Sequence, residues 1–305
     1  MPNILKKIFC TPLFKTRDNE VPGDNPEGAP KKYKRSLFNK ILRGTAIFLF
    51  LSASLIIIFN YIGGDYEDSY FSSDSEDDSC NVFGISIVGD IITLGGEEGT
   101  SYTSADDIIY YLQLAEDDKE AKAVLIEIDS LGGYPVAAEE MATAIKRLNK
   151  PTVALIREYG DSAAYWIASA ADTIFASKNS EIGSIGVTSS YLDYSEQNQQ
   201  EGIKYVELSS GKFKNYGDPD RSLTQEEKDL IMRDVNIIHQ NFIEAVAENR
   251  NMDIEKVKEL ADGSIMLGQM ALEKGLIDRI GVYHDAMDYL DELLGEKAEI
   301  CWYWF

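Results

Sequence analysis

The chain has 305 residues, 44% of them hydrophobic and 27% charged, with a net charge of −23. That charge argues against nucleic acid as a partner, because phosphate binding needs concentrated Lys and Arg. The three cysteines, Cys10, Cys80 and Cys301, are far apart, which argues against a disulfide framework or a structural zinc site and leaves one bridge, Cys80 to Cys301, open in an oxidising compartment.

In chain order, residues 1–44 form a basic segment ending in a cluster that includes Lys31, Lys32, Lys34, Arg35, Lys40 and Arg43. Residues 45–62, "TAIFLFLSASLIIIFNYI", carry no charge. Their length is close to the ~20 residues that cross a bilayer as a helix. The stretch after them, "GGDYEDSYFSSDSEDDSC", is acidic, so the positive-inside rule places the N-terminus in the cytoplasm and the rest outside it. No small-x-small cleavage site follows the apolar run, so it reads as an uncleaved signal anchor. Residues 63–81 then read as a solvated acidic linker.

From Val82 to the C-terminus the pattern is that of one α/β domain, residues 82–305. "VFGISIVGDI", "AVLIEID" and "PTVALIRE" read as strands. Helices are expected over "SADDIIYYLQLAEDD", with Ser104 as N-cap, over "GGYPVAAEEMATAIKRLN" and over "SAAYWIASAAD". "TIFASKNSEIGSIGV" holds a short strand and a tight loop. This alternation predicts parallel βαβ units. A long amphipathic helix follows, capped by Thr224 with Glu227 three residues on, and Ile231, Val235, Ile238, Phe242 and Val246 line one face.

Four stretches carry candidate chemistry. In "EYGDSAAYWIAS" Ser162 sits among small residues at a strand-to-helix junction, where a nucleophile can be presented on a tight turn; the same pattern also serves plain close packing. "DSLGGYP" ends a buried strand, and Gly132 and Gly133 can bring backbone N–H groups to a ligand oxygen, as an oxyanion hole requires. "EIGSIGV" places Ser184 in a second Gly-rich turn, and "SSGKFKNYGDP" offers Lys212 and Lys214 in a loop. A serine nucleophile needs a base. The two histidines, His239 inside the long helix and His284 near the C-terminus, lie in no recognisable motif. A lysine serves as base when burial holds it neutral, so a Ser-Lys pair suits this composition.

Taken in order, "DSLGG", "GDSAAYWIASAAD", "IGSIGV", "SGKFKNYGDP", the long helix and "VKELADGSIMLGQMALEKGLIDRIG" resemble the bacterial signal peptide peptidase (protease IV) family in its short single-copy form, over roughly residues 82–280. The resemblance implies Ser162 as nucleophile, Lys214 as general base, Ser184 as the residue orienting the lysine, and Gly132 and Gly133 as oxyanion donors. Lys212 is then left in solvent. It implies a crotonase/Clp-protease-like spiral of βαβ units and a homo-oligomeric ring. It further implies cleavage of apolar peptides such as remnant signal peptides, on the periplasmic side of the bacterial inner membrane. No metal or other cofactor is implied. The chain departs from the family pattern at Leu131, where a proline is usual, and at Ala163 and Ala164, where glycines are usual. "SAAYWIASAAD" is closer to the related phage capsid-processing peptidases. An inactive scaffold of the same fold is the other alternative, prompted by Asp161 beside the serine, and an acyl-thioester enzyme of the crotonase fold a more distant one. The aromatic tail "ICWYWF" is expected to dock on its own or an adjacent subunit, towards a peptide-binding groove.

Overall fold

The β-branched runs form the strands expected of them. The computed structural model describes residues 80–96 and 99–303. The basic segment, the apolar run 45–62 and the linker up to residue 79 lie outside the described residues. Among the described residues no helix is long and apolar enough to cross a membrane.

The first elements are β1 (Val82–Ile92), β2 (Tyr102–Ser104), α1 (Ala105–Asp117), β3 (Ala123–Gly133) and α2 (Pro135–Lys146). Next come β4 (Thr152–Asp161), α3 (Ala163–Ser169), β5 (Thr173–Ala176), β6 (Glu181–Gly183) and the short α4 (Ser195–Gln200). The chain ends with α5 (Gln225–Asn249), α6 (Ile254–Leu260), β7 (Ile265–Leu267), α7 (Gly268–Lys274), β8 (Arg279–Ile280), α8 (Tyr283–Leu294) and β9 (Ile300–Tyr303).

The sheet runs β2-β1-β3-β4-β5-β8, with β6 beside the end of β4 and β9 beside the start of β1. These pairings are parallel; β6 with β7 is antiparallel. The result is a mixed α/β fold, as the alternation predicts. The central strands are buried on both faces, so they read as continuous apolar runs. Ile126, Ile128, Ala154 and Ile156 face one core together with residues of α1, α2, α3 and α5. Leu125, Val153, Leu155 and Phe175 face a second core closed by Ala286 and Leu290 of α8.

Local signals hold with two differences. The capping box of α5 forms as expected: Glu227 N–H donates to Thr224 Oγ1 at 3.3 Å and Thr224 N–H to Glu227 Oε2 at 2.8 Å. Ser104 stands at the N-cap of α1, but its side chain makes no capping bond; its hydroxyl donates to the Thr93 carbonyl instead. The apolar stripe of α5 is divided. Phe242 and Val246 are buried in the core, whereas Ile231, Val235 and Ile238 are only half-buried, the last two at the edge of an open cavity.

The C-terminal tail docks on its own chain. Residues 300–303 pair with Val82–Ile85 of β1, and the Tyr303 ring stacks on Phe83 at 3.9 Å. Gly84 makes room for this strand, because a Cβ there would lie 2.6 Å from Ile300 and 2.8 Å from Trp302. Among the described residues of the tail the expected approach to a peptide groove is not seen: β9 lies along the first half of β1, at the opposite ends of the strands from Ser162. Cys80 and Cys301 form a disulfide across a Cα–Cα distance of 5.6 Å, which settles the pairing the sequence left open.

Candidate active site

β3 and β4 run side by side until their C-terminal ends, where the register shifts between Ile128 and Ser130. Beyond that point β6 joins β4, pairing Tyr159, Gly160 and Asp161 with Glu181, Ile182 and Gly183. Ligands in parallel sheets bind where strand ends diverge in this way. Ser162 stands at that divergence, between β4 and α3.

Its backbone has φ 52° and ψ −121°, a region that non-glycine residues rarely occupy. Such strain persists only when the surroundings over-determine it, and it clusters at functional sites. Here the Ser162 N–H donates to the Gly183 carbonyl at 2.9 Å, and its carbonyl accepts from Trp166 N–H at 3.0 Å. All seven residues of α3 are buried, which anchors the junction from below.

The predicted glycines are brought to the serine. Gly132 has φ 111°, and a Cβ there would lie 2.8 Å from Ser162 Cβ and 3.1 Å from Ala163 N. Only glycine allows β3 this close approach. A Cβ at Gly133 would lie 2.0 Å from the Ile91 carbonyl oxygen. The Gly132 N–H already donates to Ser130 Oγ at 3.0 Å, and that hydroxyl donates to the Gly89 carbonyl at 2.6 Å. An oxyanion accepted by Gly132 must therefore replace or share that bond.

Ser184 is the second strained serine, with φ 47°. Its N–H donates to the Ser264 carbonyl at 3.0 Å, and its hydroxyl donates to Gly263 O at 3.4 Å. Ser162, Ser184 and Gly133 line one cavity of 840 Å³. Its wall towards α5 is formed by Met232, Val235, Asn236, Ile238, His239 and Phe242, with Trp166 of α3 beside them.

Lys214 is not brought to this cavity. It is exposed, in a turn where its N–H donates to the Gly211 carbonyl, and it is not among the residues that line the cavity. From Gly186 to Ser222 no residue is buried. Lys212, expected in solvent, is largely exposed but paired with Glu226 at 2.5 Å, and its Nζ lies 5.0 Å from the centre of the Phe213 ring. His239, given no role from its sequence context, is placed in the same cavity as Ser162. The signal was its position on α5, one turn from both Val235 and Phe242. His284 lies in the first turn of α8, and the cavity is not lined by it.

Asp161 adds an electrostatic feature beside the serine. It is buried, its Oδ1 has no hydrogen-bond partner, and burial, reinforced by Glu181, pushes its carboxyl up to about 6. A carboxyl with a raised folded-state value holds its proton more tightly folded than unfolded. Its contribution to stability is then full below about pH 4 and is lost as pH rises through about 6, by up to about 3 kcal/mol. Asp161→Asn is expected to gain stability relative to the parent chain as pH rises across that window. Urea unfolding at pH 4.5 and pH 8 checks this, and a difference independent of pH would show that Asp161 titrates normally.

With this geometry in hand, similarity to known proteins decides the family. A family description, peptidase family S49, matches residues 144–297, half of the chain. A protein of Synechocystis named as a protease is 34% identical over 190 residues, 60% of this chain and 68% of that one. The chain belongs to peptidase family S49. Ser162, Ser184 and Lys214 fall inside the S49 match, and Gly132 and Gly133 precede it. A Methanocaldococcus jannaschii protein named as a protease is 35% identical over 192 residues, 61% of this chain and 62% of its own length. An Enterococcus faecium protein named as a signal peptide peptidase, SppA, is 39% identical over 183 residues, 59% of this chain and 53% of its own length. The chain thus spans about three fifths and about half of the length of these two relatives.

Proposed function

We propose that this chain is a membrane-anchored serine endopeptidase that uses Ser162 as nucleophile and Lys214 as general base. The observation that carries the reading is Ser162 itself: a strained serine against Gly132, facing an 840 Å³ cavity with a mainly apolar wall. An extended apolar peptide fits such a wall, and remnant signal peptides are the substrate class favoured by the resemblance to SppA. The parallel βαβ units are read as a crotonase/Clp-protease-like spiral.

In the proposed reaction, Ser162 Oγ attacks the scissile carbonyl carbon and its proton passes to neutral lysine. The carbonyl oxygen becomes an oxyanion facing the N–H groups of Gly132 and Gly133. Collapse breaks the C–N bond, and the lysine returns the proton to the leaving amine. Water, deprotonated by the same lysine, then releases the acyl group and restores Ser162. Ser184 is assigned to orienting the lysine.

Burial favours the neutral form of a lysine. The segment that carries Lys214 has no buried residue, and Leu192, Ile203, Val206 and Leu208 are at 64%, 55%, 68% and 97% exposure. Exposed apolar patches of this kind mark interaction sites. The reading is therefore that this segment docks on a neighbouring copy in a ring, and that Lys214 reaches the neighbour's serine. Reaction with a serine-directed fluorophosphonate tests the enzyme reading against the inactive scaffold. An inactive scaffold would leave Ser162 unlabelled.

The anchor and its orientation follow from residues 45–62 and their flanks. The Cys80–Cys301 disulfide supports the same side, since such bonds persist in oxidising compartments. We therefore place the peptidase domain on the periplasmic side of a bacterial inner membrane. A reporter active only outside the cytoplasm should be active when fused after Phe305 and silent when fused near Lys31. The opposite pattern would reverse the topology.

A further inference from the structure

The wall of the Ser162 cavity along α5 is apolar except at Asn236 and His239. Trp166 lies one helical turn beyond Ser162 and stacks on Phe242, with ring centres 4.9 Å apart and planes within 9°. His239 stands three residues before Phe242 on the same helix and also lines the cavity. Its Nε2 is buried and has no hydrogen-bond partner. Buried polar atoms are normally paired, and an unpaired one is costly unless something supplies a partner.

We infer that His239 is a specificity-determining residue, selecting a tyrosine side chain of the peptide at the position next to Ser162. This rests on the peptidase reading above. The ring of the tyrosine lies against the Trp166 and Phe242 wall, and its hydroxyl pairs with His239 Nε2. A phenol both donates and accepts, so it satisfies the imidazole in either tautomer. Phenylalanine or leucine fills the same space and leaves Nε2 unpaired. An acidic side chain loses hydration without gaining a counter-charge, since neither lysine nor arginine lines this cavity and its one lining carboxylate, Asp262, would repel it.

The test uses the full chain and two peptidyl phosphonate probes that differ only in carrying Tyr or Phe at that position. The rate of Ser162 labelling is read for the parent chain, His239→Leu and His239→Gln, with thermal unfolding as the control for folding. The parent is expected to react about tenfold faster with the Tyr probe, the discrimination a good neutral hydrogen bond supplies. His239→Leu should bring the ratio to about one, and His239→Gln should keep part of it. Equal ratios in the parent and in His239→Leu would overturn the assignment while leaving the peptidase reading intact. Loss of labelling with both probes in a folded His239→Leu would overturn it in favour of His239 as the base. No reaction of the parent with either probe would overturn the peptidase reading, and the specificity with it.

Discussion

Ser162→Ala is expected to lower kcat/KM on an unstructured protein such as casein by about 10⁴-fold or more, because the substitution removes the attacking oxygen. The fold should survive. The bonds that hold residue 162, to Gly183 O and from Trp166 N–H, are made by its backbone. An alanine there meets the same positive φ as the serine. Thermal unfolding of the variant should therefore match that of the parent. Normal turnover by a folded Ser162→Ala chain would sink the nucleophile assignment.

Lys214→Ala should cost about as much as Ser162→Ala, since nucleophile and base act as one unit. Lys212→Ala should be mild: its partner Glu226 is exposed, and surface pairs contribute little. The exposed position of Lys214 leads to a second measurement. If a neighbouring copy supplies the lysine, Ser162→Ala and Lys214→Ala chains mixed before assembly should regain activity. Random pairing in a closed ring leaves about a quarter of the sites with both groups intact. Activity in the mixture no greater than in either variant alone would place serine and lysine on the same chain. Inverted effects at Lys212 and Lys214 would assign the base to Lys212.

The α/β order was legible because parallel strands buried on both faces leave continuous apolar runs, and "AVLIEID" and "PTVALIRE" both became central strands. The long helix was legible from Thr224 and Glu227, a signal local to four residues. Ser162 and the glycine pair were legible for a different reason. Close approach of two chain segments demands small residues, and "DSLGG" and "GDSAA" carry them.

What escaped was set by long-range packing. The tail forms a strand beside β1, and its partner is more than 200 residues away, as the disulfide separation of 221 shows. No local pattern encodes such a pairing. The stripe on α5 looked uniform, but whether a position meets core or cavity depends on what stands opposite. Ile238 and Val246 therefore have different surroundings. His239 was overlooked on the same ground: a histidine within a helical stripe reads as ordinary packing until Ser162 is seen across the cavity. The lysine loop was recognised by its composition, but nothing in "SSGKFKNYGDP" tells which copy of the chain it serves.

The Cys80–Cys301 bond closes nearly all of the described chain into a covalent loop. A peptidase is exposed to cleavage by its own kind, and the stretch from Gly186 to Ser222, with nothing buried, is where a cut is easiest. A single nick there would not release a fragment. The piece bearing Ser162 and the piece bearing α5 would stay joined through the bond, and β9 would stay paired beside β1. The loop thus separates damage to the backbone from loss of the molecule: a nicked copy keeps its two halves at the concentration of a single chain.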